Sequence, residues 1–255
     1  VRGLPMDELA EKLFVRYVVT GDLWKADSVF QLSIELYDTK SSKVLWSKSW
    51  QKSWSELSSI KGSLADNILK SLKVSTKQNI SNIPTDNTEA YEYYLRGKYK
   101  WKIRKHIEDA EIARGLIKKA IKLDEGFFDA KNFLGLTYFQ TGDYDEAFII
   151  YNALLNQAEE LDDIGMMNNN IGGIYMRQSN YDSALFYFNK SKFIREKLEN
   201  KFGLSTILSN LGWVHLLKGE LEKSLQFYQH KLENDKEIEN RRGISYALTG
   251  LGNIH

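Results

Sequence analysis

The chain has 255 residues, 42% hydrophobic and 27% charged, which is the composition of a folded globular protein. Its 35 Lys and Arg residues nearly balance 34 Asp and Glu residues, and this balance argues against a dedicated nucleic-acid binder, which usually carries a basic excess. The chain contains no Cys, so disulfides and thiolate metal sites are excluded.

The first 75 residues predict a small α+β unit. A short helical run, Met6–Leu13, precedes three alternating segments, Val15–Leu23, Phe30–Leu36 and Val44–Trp50. Short connections between these segments suit antiparallel hairpins, so they predict a three-stranded antiparallel meander. A helix then covers one face of the sheet, and its apolar stripe consists of Leu57, Ile60, Leu64, Ile68 and Leu72.

Alternation within two of the strands assigns side chains to faces. We expect Val15, Tyr17 and Val19 to share one face of the first strand. In the third strand, one common face is expected for Val44, Trp46 and Trp50.

Residues 88–255 contain an internal repeat. An apolar residue followed by Gly recurs there at intervals of 37, 40 and 40 residues. A ring, a turn signal, a small residue and a second ring follow most of these glycines at fixed spacing. Since a Gly inside a helix costs about 1 kcal/mol relative to Ala, a repeating one indicates close approach of another helix. The glycines are Gly135, Gly172, Gly212 and Gly252, and the closing rings of the first three units are Tyr151, Phe188 and Tyr228.

An earlier and weaker unit precedes these repeats. Thr88–Trp101 reads as its first helix with Gly97 at the glycine position, and an insertion around Ile103–Asp109 separates it from the second helix. The sequence therefore predicts four helix pairs plus the first helix of a fifth, stacked so that each pair covers the apolar face of its neighbour.

This pattern resembles the tetratricopeptide repeat, W-x2-L-G-x2-Y followed by Ala, an aromatic residue and Ala. It departs from that pattern because the closing Pro is absent and the first Trp is replaced by Lys131, Asn168, Leu208 and Leu248. The 40-residue period resembles the longer repeats of kinesin light chains. We expect a longer second helix, such as Tyr181–Asn200, to contain the additional residues.

The segments LAEKLFVRYVVTGDL and VLWSKSW, with the strand ending in LYD between them, resemble the TolB-N-like domain of bacterial signalling proteins. In that family tetratricopeptide repeats follow through a linker, here residues 76–87. The resemblance implies a regulatory segment of a larger protein whose effector is a cyclase, a winged-helix DNA-binding domain or a kinase. The family's first strands are missing, so the chain reads as an excerpt, and an exposed sheet edge would pair with a second chain to form a homodimer.

The sequence predicts no catalytic residues, no metal site and no cofactor. The acidic pairs Glu159-Glu160 and Asp162-Asp163 fall where a second helix ends and its loop begins, which favours solvated charge over acid–base chemistry. His215 occupies a ring position of the repeat and is expected in the core. The basic run Lys98–His106 contains interleaved rings that could stack bases, but cations also suit the last turn of a helix, so no nucleic-acid binding is predicted.

The tetratricopeptide resemblance implies that the first helices of the pairs line a concave groove that binds peptides. Asn170 and Asn210 share the position at which related repeats hydrogen-bond a ligand backbone, and an amide can both donate and accept. Apolar contact would come from Met176 and Trp213. Counted from the repeat glycines, the predicted groove residues are Asn132, Phe139, Asn169, Asn170, Met176, Arg177, Ser209, Asn210 and Trp213.

The predicted function is that of a protein- or peptide-binding regulatory scaffold that performs no chemistry itself. We expect a cytoplasmic location, since neither a membrane-spanning run nor a signal peptide is indicated. Two alternatives stay open: a part of an adenylate or guanylate cyclase whose catalytic domain lies outside this chain, and a part of a winged-helix DNA-binding regulator.

Overall fold

The computed structural model describes residues 15–26, 29–53 and 85–254, together with the scattered positions 8, 56, 60, 64, 67–68 and 70–72. The predicted helix Met6–Leu13 (apart from Glu8), Leu57, the linker residues 76–84 and His255 lie outside the described residues. The chain divides into two compact units, Val1–Ile103 with Lys118–Phe127 and Arg104–Ile117 with Phe128–His255.

The first unit contains a three-stranded antiparallel sheet, so the predicted meander is confirmed. Its strands, in spatial as in chain order, are β1 (Tyr17–Ala26), β2 (Val29–Asp38) and β3 (Lys43–Ser53). The core of the sheet is formed by Phe30 and Trp50 together with Ile60, and Leu64 packs against this cluster. The stripe of the predicted covering helix therefore contacts one face of the sheet.

The third strand carries a β-bulge that alternation alone did not reveal. Leu36 pairs with Trp46, but the next residue, Tyr37, pairs with Val44, so Leu45 is an extra residue in β3. A bulge of this kind reverses the alternation of side chains beyond it. Val44 is consequently 49% exposed and lies on the other face from Trp46. The prediction of one common face for Val44, Trp46 and Trp50 is wrong.

Four helix pairs and one further helix follow in the described part of the chain, as predicted, in the arrangement of a tetratricopeptide-like solenoid. Within the second unit each helix contacts the next, and α7 also contacts α5 and α9, the first helices on either side. The helices are α1 (Thr88–Ile103), α2 (Ile107–Leu123), α3 (Phe128–Thr141), α4 (Tyr144–Gln157), α5 (Leu161–Arg177), α6 (Tyr181–Lys197), α7 (Lys201–Leu217), α8 (Leu221–Glu237) and α9 (Arg241–Gly252).

The repeat glycines lie at close contacts between the helices of a pair. A Cβ added to Gly135 would lie 2.6 Å from Tyr151, and one added to Gly172 would lie 2.7 Å from Phe188. Both rings are the predicted closing rings of their pairs and are fully buried. The glycine pattern therefore records the packing of a second-helix ring against the first-helix backbone, as expected. Gly252, near the end of the described chain, makes no such contact.

The additional residues of the longer repeats are shared by both helices of a pair, which differs from the expectation of a longer second helix alone. Helices α3 and α4 have 14 residues each, whereas α5, α6, α7 and α8 have 17. The added first turns of α5 and α7 are held by the second helix of the same pair. Arg195 bonds the side chain and carbonyl of Asp162, and Asn234 Nδ2 donates to the carbonyl of Lys201 at 2.9 Å.

Candidate functional site

The first helices α3, α5 and α7 bring most of the predicted groove residues together around one cavity of about 240 Å³. Leu136 and Gly173 also line it, and both are on these same helices. The predicted residues that line the cavity are Phe139, Asn169, Asn170, Met176, Arg177 and Asn210.

Four asparagine side chains form a continuous hydrogen-bonded row across these three helices, which we call the asparagine ladder. Asn210 Nδ2 donates to Asn169 Oδ1 at 2.9 Å, and Asn170 Nδ2 donates to Asn132 Oδ1 at 3.1 Å. Within α5, Asn169 Nδ2 donates to Asn170 Oδ1 at 3.4 Å, which joins the two contacts. Asn132, which does not line the cavity, therefore belongs to the site through the ladder.

Two of the four amides donate toward the N-terminal neighbour in the stack, Asn210 to Asn169 and Asn170 to Asn132. Asn169 donates to Asn170 within α5, and Asn132 Nδ2 donates to Met166 Sδ of α5 at 3.5 Å. All four side chains are half-buried, so each presents polar atoms at the surface while one side is fixed by a neighbouring amide. Amide oxygens and N–H groups held in this way can accept from and donate to a polypeptide backbone.

Arg177 supplies the positive charge at the rim of the cavity. Its guanidinium lies 6.0 Å from the centre of the Phe139 ring, and its side chain is exposed. No Asp or Glu among the described residues forms an ion pair with it. The cation is therefore available to a carboxylate from outside the chain, next to the apolar surface of Phe139 and Met176.

Ser209 and Trp213 are predicted groove residues that do not line the cavity. Both lie on α7, where Ser209 is half-buried and Trp213 is 41% exposed. The position that matches Trp213 in the preceding pair is Gly173, which leaves open the space that an indole would fill. The cavity exists at α5 because this position lacks a side chain.

Tyr151 lines the cavity, although sequence reasoning assigned it only a packing role. It belongs to α4, a second helix, and counting along first helices cannot identify it. The glycine pattern could have identified Tyr151. A ring that packs on Gly135 of α3 also lies next to α5, the following first helix.

The basic run at the end of α1 does not present its aromatic residues as a stacking surface. Trp101 is 5% exposed and is part of the core, while Lys98 lies over the ring of Tyr94 at 5.0 Å. Tyr99 and His106 are the exposed rings of the run. This arrangement favours the reading of the run as the basic last turn of a helix.

The acidic residues Asp162 and Asp163 lie in the first turn of α5, rather than in the loop where they were expected. Asp162 is bonded to Arg195 of α6, and burial raises the pKa of the Asp163 carboxyl, with a further contribution from the charge of Asp162. Carboxylates in the first turn also interact favourably with the helix dipole. Asp162 therefore has a structural role in holding α5 against α6.

His215 is buried, as predicted, and its ring stacks on Phe227 with centroids 5.2 Å apart. Its Nδ1 lies 2.9 Å from Glu220 Oε2. In the described ranges, no helix is both long and apolar enough to span a bilayer.

Comparison with known proteins agrees with this geometry. Two family models described as tetratricopeptide repeat match the chain, one over residues 107–163 and one over residues 163–237. No curated protein matches the sequence.

A solved structure illustrates the similarity in fold. A variant of a kinesin-light-chain-type protein from Podosopora anserina, with nearly identical TPR-like repeats, matches with a TM-score of 0.53 and 9% identity. That match covers 64% of this chain and 84% of the other. BtubC (BKLC) from P. vanneervenii matches with a TM-score of 0.49 and 12% identity over 65% of this chain and 81% of the other.

The helical hairpins, their glycine contacts and the groove define a repeat scaffold. Residues 107–237 of this chain are tetratricopeptide repeats.

Proposed function

We propose that this chain is a protein-binding scaffold whose groove along α3, α5 and α7 captures an extended segment of a partner protein. The asparagine ladder carries this proposal. An extended chain presents backbone N–H and C=O groups at regular intervals, and each must find a partner when it is taken from water. A row of amides on three successive first helices supplies such partners without any change in the fold.

The cavity beside the ladder suggests the side chains that the segment carries. Leu136, Phe139 and Met176 form an apolar lining large enough for one side chain, and Arg177 lies at the rim. We infer that the captured segment places an apolar side chain in the cavity and a carboxylate next to Arg177.

The experiment is selection of unstructured 12-residue peptides from a random displayed library on the full chain. The selected peptides are then measured against two variants, Gly173→Trp, which fills the cavity with the residue found at position 213, and Asn170→Ala/Asn210→Ala. We expect about a hundredfold weaker binding to the first variant and about tenfold weaker binding to the second.

The matched control is Asn156→Ala, which removes an exposed amide on α4 that does not line the cavity. Binding to this variant should equal binding to the unchanged chain. Selected peptides that bind Gly173→Trp as well as they bind the unchanged chain would refute the groove proposal, provided that the variant retains its thermal unfolding transition.

The wider setting is also a proposal: this chain is the cytoplasmic regulatory region of a larger bacterial signalling protein. It is supported by the resemblance of residues 2–101 to the TolB-N-like arrangement, with its meander and linker ahead of the repeats. The alternatives within this setting are a nucleotide cyclase and a winged-helix regulator. The coding sequence upstream tests all of these, because a gene that encodes none of these effector domains would refute the setting.

Pairing of two chains through the sheet edge belongs to the same proposal. In the described part of the chain β1 is an edge strand, and its Val19, Leu23 and Trp24 are exposed. An edge of this kind is a template for another strand. Light scattering across micromolar concentrations tests it, because a strictly monomeric mass would dismiss the dimer.

A further inference from the structure

A second cleft, of about 810 Å³, lies between the second helices α4 and α6, with α5 as its floor. It shares no lining residue with the groove cavity. Its surface is mostly apolar, with the Asn168 amide in the floor and the exposed Asn189 amide and Lys190 amine on α6. The lining residues that matter here are Leu155, Ile164, Asn168, Phe186, Lys190 and Phe193.

Asn168 is an unusual residue for this floor. Its side chain is 3% exposed, and its Nδ2 donates to the carbonyl of Ile164 at 2.7 Å. Its Oδ1 is buried and accepts no hydrogen bond from any residue that the structure describes. A buried acceptor without a donor costs about 1–3 kcal/mol. The matching position in the next pair holds Leu208, which is fully buried, so the fold does not require an amide here.

The aromatic residues in the walls of the cleft, like Asn168, are not repeated in the α7–α8 pair. Phe186 and Phe193 are exposed aromatic residues on one side of α6, and Phe193 is 67% exposed. In α8, which matches α6 residue for residue, the corresponding positions hold Gln226 and Glu233. The same scaffold thus builds a polar surface at one pair and an apolar cleft at the other. Exposed aromatic residues of this kind are typical of binding sites.

We propose that this cleft binds an amphipathic helix of a partner protein, at a site separate from the groove. An extended chain would bring several unpaired backbone groups into a mostly apolar cleft whose amides are those of Asn168 and Asn189 alone. A helix satisfies its own backbone hydrogen bonds and presents only side chains. The cleft therefore fits a helix, whereas the asparagine ladder of the groove fits an extended segment.

The polar groups of the cleft define two features of that helix. Asn168 Oδ1 needs a donor, which a Trp indole N–H or a Tyr hydroxyl on an otherwise apolar face supplies. Lys190, whose Nζ lies 4.3 Å from the centre of the Phe186 ring, forms no ion pair with any described residue. It fits a Glu or Asp on the flank of the helix.

The test is selection from a displayed library of helix-constrained peptides on the full chain. Counter-selection uses the variant Phe186→Gln/Phe193→Glu, which carries the residues of α8 and should keep its thermal unfolding transition. We expect the selected peptides to share an apolar face with a Trp or Tyr at its centre and an acid beside it. Their binding to the double variant should be about a hundredfold weaker.

Asn168→Leu separates a binding role of the amide from a structural one. Because it introduces the residue of the matching position, it should raise Tm by about 2–4 °C while weakening the selected helices about tenfold. Equal binding to Asn168→Leu and to the unchanged chain would overturn the role of Asn168.

A library that yields no binder, or only peptides that tolerate the double variant, would overturn the site. So would selected peptides that bind as well after a Pro is placed at their centre, because they would not be helices. Since Gly173→Trp leaves this cleft unchanged, loss of the groove proposal and loss of this one are distinguishable.

Discussion

The pairs α5–α6 and α7–α8 match residue for residue over 17-residue helices, yet they are joined internally in different ways. In the first pair Arg195 reaches from α6 to Asp162, whose side chain is 59% exposed. In the second pair Lys231 lies between Ser205 and Asp235 at 2.6 and 2.7 Å, and the Asp235 carboxylate is fully buried.

The positions that the two pairs share are those at which backbones approach. Gly172 and Gly212 both lie beneath a ring of the second helix. The two pairs differ in their ion pairs, in their turn residues, in the groove position held by Gly173 or Trp213, and in their outer surface. The comparison indicates that helix-to-helix distance is fixed by the glycines, while each pair can satisfy its remaining buried polar groups separately.

Lys231→Met should produce the largest effect, because it leaves the Asp235 carboxylate buried without its cation. We expect a loss of about 3 kcal/mol in the free energy of unfolding, measured by urea denaturation. Arg195→Met should cost less, about 1–2 kcal/mol, since Asp162 stays in contact with water.

The control for this comparison is Lys231→Met/Asp235→Asn, which removes the buried charge but keeps the shape of the side chain. It should recover more than half of the loss. A double variant as unstable as Lys231→Met alone would mean that packing, not charge, governs this junction.

Adjacent glycines of α5 offer the next test. A Cβ at Gly172 would overlap the buried Phe188 ring, whereas one at Gly173 would lie 3.7 Å from Phe139, an ordinary contact. Gly172→Ala should therefore lower stability by about 2 kcal/mol. Gly173→Ala should raise it by up to about 1 kcal/mol through helix propensity. Thermal unfolding of the two variants measures the difference, and equal Tm values would contradict the role of the repeat glycine.

The contrast between the repeated glycines and the residues that differ from pair to pair explains what the sequence could predict. Gly135 and Gly172 recur with their rings because one physical constraint acts in each pair, so periodicity identified the helices and their order. The candidate groove was implied by the tetratricopeptide resemblance. The ladder needed coordinates, because Asn169 and Asn170 are neighbours in sequence but bond to different helices. Asn168 was noted only as a departure from the repeat, since an unpaired acceptor leaves no mark on spacing.

A smaller effect on stability is expected from replacing Glu220. This residue stands at the start of α8, at the position that Asn180 holds at the start of α6. Hydrogen bonds from Lys223 and from His215 lower the pKa of the Glu220 carboxyl to about 2. A lowered folded-state pKa stabilises the protein above the ordinary value near 4.5, and this contribution is lost as pH falls through about 2.

Glu220→Gln should therefore lower Tm at pH 7, and the difference from the unchanged chain should disappear as the pH approaches 2. Comparing the two proteins at each pH removes the effect of all other carboxyl groups. The variant Asn180→Gln in the matching turn is the control, because no charge is altered and its Tm difference should not depend on pH. A Tm difference for Glu220→Gln that is constant from pH 7 to 2 would show that the charge contributes nothing.

The smallest expected effect concerns the turns between the helices of each pair. Ser179 adopts a φ of 60°, whereas the matching residue Gly219 has a φ of 74°. A left-handed backbone costs a residue with a Cβ about 1–2 kcal/mol. Gly avoids this cost, but part of the advantage is offset because Gly loses more conformational freedom on folding. Ser179→Gly should therefore stabilise the protein by about 0.5 kcal/mol, and Gly219→Ser should destabilise it by a similar amount. This explanation requires opposite Tm shifts in the two single variants. It also requires the shifts nearly to cancel in the double variant, because the two turns lie in different pairs and should act additively.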